Sequence, residues 1–322
     1  MALPTNTLAT FEAIGNREDL SDMVYRISPT DTPFLSSLDR EKASGTFHEW
    51  QTQELAAAST ANAQLEGDDA TTKVVTARIR RGNYCQISTK TVRVTGSQQA
   101  VTTAGVPNEL ANQAMLAGLE LKTDIESQMV GSNQARNAGA DATARVSASI
   151  LSWLKTNTDK ATAGTPGVDP AAADGTGTRT DGTQIAFTES RLKSVLQKCW
   201  TQGGKPGTVM LGGGNKQAFS TFTGRASPIE ETKSQKITAS VTAYESDFGT
   251  LKVVPNRFMR TRDVLVLELE KWAQAHLNGR TMVNLPLAKT GDSDRRMMLS
   301  EYVLVSRNEK ASGGVFDCTV PA

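Results

Sequence analysis

One stretch limits what this chain can fold into more than any other. Residues 45–55 (GTFHEWQTQEL) and 71–96 (TTKVVTARIRRGNYCQISTKTVRVTG) have strand-like composition, the second rich in Val, Ile, Thr and Tyr. Between them lies AAASTANAQLEGDDA, small and polar. The pattern predicts a long β-hairpin over residues 45–96. Val75, Ala77 and Ile79 alternate with Thr76, Arg78 and Arg80, so its apolar face is thin. A two-stranded hairpin with so little to bury is marginal by itself. Either it packs on another chain or its tip stays disordered.

The segments around it are of three kinds. Residues 1–44 hold short apolar pieces between breakers. Leu20, Val24 and Ile27 recur at helical spacing until Pro29 and Pro33 end the pattern. This reads as an extended arm with one short helix, and such an arm needs a surface to lie on. After the hairpin, Pro107 suits a first helical turn, and Leu110, Ala114, Ala117, Leu121 and Ile125 form one apolar stripe. Met115, Leu116 and Leu119 widen it. A helix over residues 107–129 would be roughly 35 Å long, a spine for a domain. A shorter helix is expected over 145–156, with Val146, Ile150 and Trp153 or Leu154 on one face. Residues 156–183 are dense in Gly, Thr, Ala and Asp, the composition of a surface loop or a linker.

Beyond this break the pattern is α/β. Thr188 is a candidate N-cap for a helix with Leu192, Val195, Leu196 and Cys199 on one face, stopping at Gly203-Gly204. TVML reads as a buried strand, GGGN as a turn and KQAFSTF as a short helix. Strands are expected at 237–244, 249–255, 264–268 and 297–305, and 316–320 would close a sheet.

Candidate chemistry is sparse. The 35 Lys+Arg balance 34 Asp+Glu, unlike a dedicated DNA binder. No apolar run approaches the roughly 20 residues that span a bilayer, and the start lacks the pattern of a secretory signal. Cys85, Cys199 and Cys318 are dispersed, as reduced thiols are. The Gly212, Gly213, Gly214 turn ahead of Lys216 lacks the spacing of a phosphate loop. His48 and His276 have no ligand neighbour at metal spacing. Asp292, Asp294 and Glu301 could face a hard cation, but Arg295 and Arg296 beside them favour charge pairing. Arg78, Arg80, Arg81, Lys90 and Arg93 form a basic strip, either solvated or facing acidic surface on a neighbouring chain.

The order of parts (arm, long hairpin, spine helix, α/β segment, return strands) resembles the major capsid proteins of tailed bacteriophages, of the Hong Kong ninety-seven type. RISPTDTPFLSSL (26–38), YESDFGTLKVVPNRFM (244–259) and LAKTGDSDRRMMLSEYVLVSRNEKASGGV (287–315) are similar to one branch of that family. The resemblance implies an α+β fold. Its parts would be an N-terminal arm (1–44), an extended E-loop hairpin (45–96), a first part of the peripheral P domain with spine helix and Gly/Thr-rich loop (97–184), an axial A domain (185–285) and return strands of the P domain (286–322).

The same resemblance implies a structural subunit and no enzyme, with no cofactor. It would assemble with itself into hexamers and pentamers of an icosahedral head around double-stranded DNA, contacted non-specifically. Scaffold, portal and decoration proteins are candidate partners; no membrane is involved. The chain would be made in the bacterial host cytoplasm and reside in the virion. Candidate intersubunit contacts are Phe47, Trp50, Arg78, Arg80, Lys90, Arg93, Asp292, Arg295 and Arg296. Some members crosslink a hairpin lysine to an asparagine; Lys73 and Lys90 are available, without an implied partner. Others carry a scaffolding domain ahead of the arm. Here the arm begins almost at Met1, so a separate scaffold or none is expected. The alternatives are a tail or connector-ring component, or a cytoplasmic enzyme using the glycine turn.

Overall fold

Ser293–Ser306 is the strand around which a five-stranded sheet is built. The computed structural model describes residues 27–69, 72, 75–161, 163–222 and 243–319. On one edge of that strand Gln86–Thr95 runs antiparallel, from Ser293 opposite Thr95 to Tyr302 opposite Gln86. On its other edge lie Trp272–Leu277 and Val283–Leu287, also antiparallel. Asp39–Ala43 from the arm adds in parallel to Trp272–Leu277. The central strand is longer than the 297–305 expected. Its second half is buried, where layers cover both faces, so alternation there gives way to an apolar run.

The spine helix is Glu109–Glu126, with the Asn108 side chain accepting the Ala111 N–H at its start. Its 18 residues span about 27 Å, shorter than expected, because the last turn widens into a π-type turn at Ser127–Gly131. Ala114, Ala117, Leu121 and Ile125 are buried, as their spacing requires. The helix packs on Gln86–Thr95 and Ser293–Ser306.

A six-stranded sheet carries the other half, in the order Thr158–Asp159, Gly313–Val315, Val264–Leu267, Thr208–Leu211, Gly249–Pro255, Ala243–Ser246. Helix Glu189–Thr201 covers it with Leu192, Val195, Leu196 and Cys199. Thr188 holds the N-cap position, but its side chain makes no capping bond. The stop at Gly203 needs a φ of +87°, which glycine adopts without strain. One core, with Phe34, Leu121, Trp153, Trp272, Tyr302 and Phe316, joins the two sheets.

Several expectations need correction. The second hairpin strand is two strands. Ile79–Tyr84 pairs with Phe47–Thr52, and the chain then leaves the hairpin at Cys85 to enter the five-stranded sheet. Cys85 is buried, and its N–H is held by the Thr46 carbonyl at 2.8 Å. Residues 145–156 form no helix beyond the turn Ile150–Ser152. The Ser149 and Ser152 hydroxyls donate to the Gln134 carbonyl instead, competing with helical hydrogen bonds. Pro33 also starts a short helix, Pro33–Ser37, that the pattern did not predict. The Leu20–Val24 pattern lies outside the described residues, as does most of the strand expected at 237–244. His276 lies in the strand Trp272–Leu277, opposite Tyr302. Among the described residues Cys318–Thr319 pairs with Ile185–Ala186 alone, in a separate ladder.

Residues 156–183 are not a linker. Arg179 is buried there between Asp169 and Asp317, with the Asp317 bond at 2.9 Å. The Gly182 N–H and Arg262 also reach Asp317, at 2.9 and 2.8 Å. The chain re-enters the five-stranded sheet at Trp272, and Gly313–Val315 crosses back to the six-stranded one.

Candidate intersubunit surfaces

The hairpin leaves the body between two backbone clamps. Arg81 donates to the Ala173 carbonyl and Arg136 to the Gly82 carbonyl. Lys310 pairs with Glu54 at 2.7 Å, tying the base of the first strand to the C-terminal region. Beyond the clamps, residues 53–69 have no regular secondary structure and are almost wholly exposed. Leu55, Leu65 and Val75 are exposed, and Ile79 is about half so. This is apolar surface that none of the described residues covers.

The nine sequence candidates fall into three groups. Phe47 and Trp50 are half-buried within the chain. Phe47 stacks near Tyr84 at 4.5 Å, with Arg136 5.3 Å over its ring, and Trp50 lies 5.4 Å from Trp153. Arg78 and Arg80 are exposed on the hairpin. Arg78 donates to Gln51 and Gln53, and Arg80 pairs with Glu49. Those contacts stay within the hairpin, so both guanidinium groups remain reachable.

The other five lie on the five-stranded sheet or at its turn. Lys90 pairs with Asp124 of the spine helix at 2.8 Å, a bond that raises the lysine pKa above its ordinary value. Arg93 donates to the Ser293 hydroxyl at 2.8 Å. It stands directly opposite Arg295, which donates to Thr290. Arg296 is half-buried on the same strand. Asp292 is exposed, and its carbonyl accepts the Gly96 N–H at 3.2 Å. The nearest atoms that a Cβ on Gly96 would meet are those of the Asp292 carboxylate, the end of an exposed side chain that can turn away. The basic strip therefore does not exist as one surface: Cys85 divides Arg78 and Arg80 from Lys90 and Arg93.

The chemical readings are taken up by the fold. Asp294 and Glu301 point to opposite faces of their strand. Asp294 pairs with Lys289 at 2.7 Å, while buried Glu301 is held by Arg145 and Arg280, each at 2.6 Å. Among the described residues no group of His, Cys, Asp and Glu is placed to hold a metal. The glycine turn opens helix Gly213–Ser220, where Asn215 donates to the Thr261 carbonyl and Lys216 lies 5.7 Å over the Phe219 ring. Burial lowers the Lys216 pKa. No helix among the described residues is long and apolar enough to cross a membrane.

Sequence reasoning missed one surface. Trp200 and Phe248 are 59% and 39% exposed, and their rings touch at 5.5 Å. They are the only exposed aromatic rings among the described residues. The signal was present, because Trp200 follows Cys199 and falls off the apolar stripe of its helix.

The comparisons agree with this architecture. A major capsid protein of Escherichia phage Phieco32 is 26% identical over 351 residues, covering 98% of each chain. The capsid of cyanophage A-1(L) superposes with a TM-score of 0.64 at 14% identity, over 97% of this chain and 98% of that one. The capsid of cyanophage P-SCSP1u gives 0.59 at 10% identity, over 98% and 96%. These are capsid chains of the Hong Kong ninety-seven type, and the fold is theirs. The model of the family described as SU10 major capsid protein matches residues 3–319, so the chain belongs to that family of bacteriophage major capsid proteins, structural components of the virion.

Proposed function

We propose that this chain assembles with itself into hexamers and pentamers that close an icosahedral head around double-stranded DNA. The observation that carries the reading is the hairpin, whose exposed Leu55, Leu65, Val75 and Ile79 have no cover among the described residues of their own subunit. A neighbouring copy supplies that cover. One chain in two ring sizes needs contacts that are similar but not identical, and an extended hairpin absorbs the difference. Each contact is modest, and the closed shell adds many of them.

Arg78, Arg80, Trp200 and Phe248 are the contact residues this reading favours, because they are exposed and their groups suit interfaces. The chain acts as a wall, with no catalytic step. The near balance of 35 basic and 34 acidic residues suits it, since confined DNA needs no specific affinity from the wall. Scaffold, portal and decoration proteins are the further partners, and the subunit is made in the host cytoplasm.

Electron microscopy of the full-length protein expressed alone, and together with the other head proteins, tests the reading. Closed icosahedral shells are expected. Tubes or single rings under both conditions would overturn it, and aggregates alone that become shells with a second protein would identify a scaffold requirement.

A further inference from the structure

Glu126 is the last residue of the spine helix, and its side chain is fully buried. Its Oε1 accepts the Phe34 N–H at 2.9 Å, and its Oε2 accepts the Leu35 N–H at 2.7 Å. Oε1 also accepts the Asn256 side-chain amide at 2.6 Å. Among the described residues no cation pairs with it. Three separate parts of the chain thus meet on one carboxylate: the arm, the spine helix and the end of the second sheet.

Each attachment is specific. Phe34 and Leu35 open a short helix whose first N–H groups have no partner within it. Asn256 is fixed to the second sheet, with its N–H on the Leu211 carbonyl at 2.9 Å and its Oδ1 accepting the Phe258 N–H at 2.9 Å. A buried carboxylate without a cation is tolerated only while donors fill its lone pairs. Burial pushes the Glu126 carboxyl above its ordinary pKa, and the three donors oppose that. Losing one donor makes the charge costlier and weakens its hold on the other two.

We infer that Glu126 couples the first turn of the arm's short helix to the second sheet: the Phe34 and Leu35 amides stay bonded to the carboxylate only while Asn256 supports it. A shift of that sheet against the spine helix therefore loosens the arm at Phe34 and Leu35. The turn can then adjust its backbone in different ring environments while Phe34 stays in the core and Asp39–Ala43 stays paired. The coupling is a property of the single subunit and stands apart from whether shells close.

Hydrogen exchange on the full-length subunit, read by mass spectrometry over residues 31–38, tests this. Asn256→Asp keeps the acceptor for Phe258 and replaces the donor to Glu126 by an oxygen. It should speed exchange of the Phe34 and Leu35 amides at least about tenfold, the effect of one hydrogen bond to a charged group. Exchange in Thr208–Leu211 and Trp272–Leu277 should stay unchanged. In a Glu126→Gln background, the same Asn256→Asp change should add little, since the shared carboxylate is gone. Unchanged exchange at Phe34 and Leu35, equal acceleration throughout the chain, or full additivity of the two substitutions would each overturn the coupling.

Discussion

Arg179 and Asp317 are 138 positions apart in the chain, and they meet at 2.9 Å in a buried ion pair. Asp317 has a left-handed backbone, φ +57°, which aspartate tolerates better than most residues. Arg179 also reaches Asp169, and its guanidinium lies 4.1 Å over the Phe316 ring. One side chain thus fastens the Gly/Thr-rich segment to the C-terminal region.

Replacing Arg179 by Met would leave Asp317 and Asp169 without this partner in a buried place. Breaking a buried pair from one side costs about 3–5 kcal/mol. Urea unfolding of Arg179→Met should show a loss of that order. A loss below about 1 kcal/mol would mean that the segment is held by other contacts.

Asp263 gives a pH dependence of defined sign. Burial pushes its carboxyl from 3.8 to about 6, against the pull of Arg260, Arg179 and Arg262. The folded state therefore binds this proton more tightly than the unfolded chain does. Its contribution to stability is full below the unfolded value and is lost as pH rises through about 6. Asp263→Asn should remove this step and be relatively more stable at pH 8 than at pH 5. Urea midpoints measured across that range decide it, and parallel curves for wild type and variant would refute the assignment.

Deleting residues 55–72 should leave a folded, soluble subunit, because residues 55–69 are exposed and carry no regular structure. Closed shells should no longer form. Normal particles from the deletion, seen by electron microscopy, would remove the hairpin tip from the assembly mechanism.

Trp200→Ala and Phe248→Ala should change subunit stability little, within about 0.5 kcal/mol, as surface substitutions usually do. The yield of shells should fall, because exposed aromatic rings are typical anchors of an interface. Sedimentation of assembled against unassembled protein measures the effect. Wild-type yield from the double variant would show that this pair contacts no neighbour.

The three cysteines should be inert. All are buried, and burial raises the thiols to about 11 for Cys85 and about 12 for Cys199 and Cys318. A thiol-reactive dye at neutral pH should label the chain only after denaturation. Fast labelling of the native protein would contradict the burial.

What could be read from the residues was local. Leu192, Val195, Leu196 and Cys199 specify their helix by spacing alone, and Thr208–Leu211 specifies its strand by an apolar run. The break at Cys85 could not be read, since alternation continues across it and the strand that captures Gln86–Thr95 is Ser293–Ser306, far along the chain. Val146, Ile150 and Trp153 have helical spacing, yet serine hydroxyls take the backbone elsewhere. The order of the Gly/Thr-rich segment rests on Arg179, whose partner Asp317 is remote. Among the surface residues, type and exposure could be read for Arg78 and Arg80. For Lys90 the Asp124 bond could not, because it depends on how the helix sits on the sheet.

The division at Cys85 has a mechanical consequence. The hairpin strand Ile79–Tyr84 and the core strand Gln86–Thr95 are joined through the single residue Cys85. A pull on the hairpin is therefore delivered to the end of Gln86–Thr95, and its component along that strand shears it lengthwise against Ser293–Ser306. Every rung of the ladder then bears load at the same time, where a sideways pull would open them one after another. In the proposed head, whose contents would press outward on the wall, each hairpin would act as a tie-bar anchored in its subunit by the whole length of Gln86–Thr95.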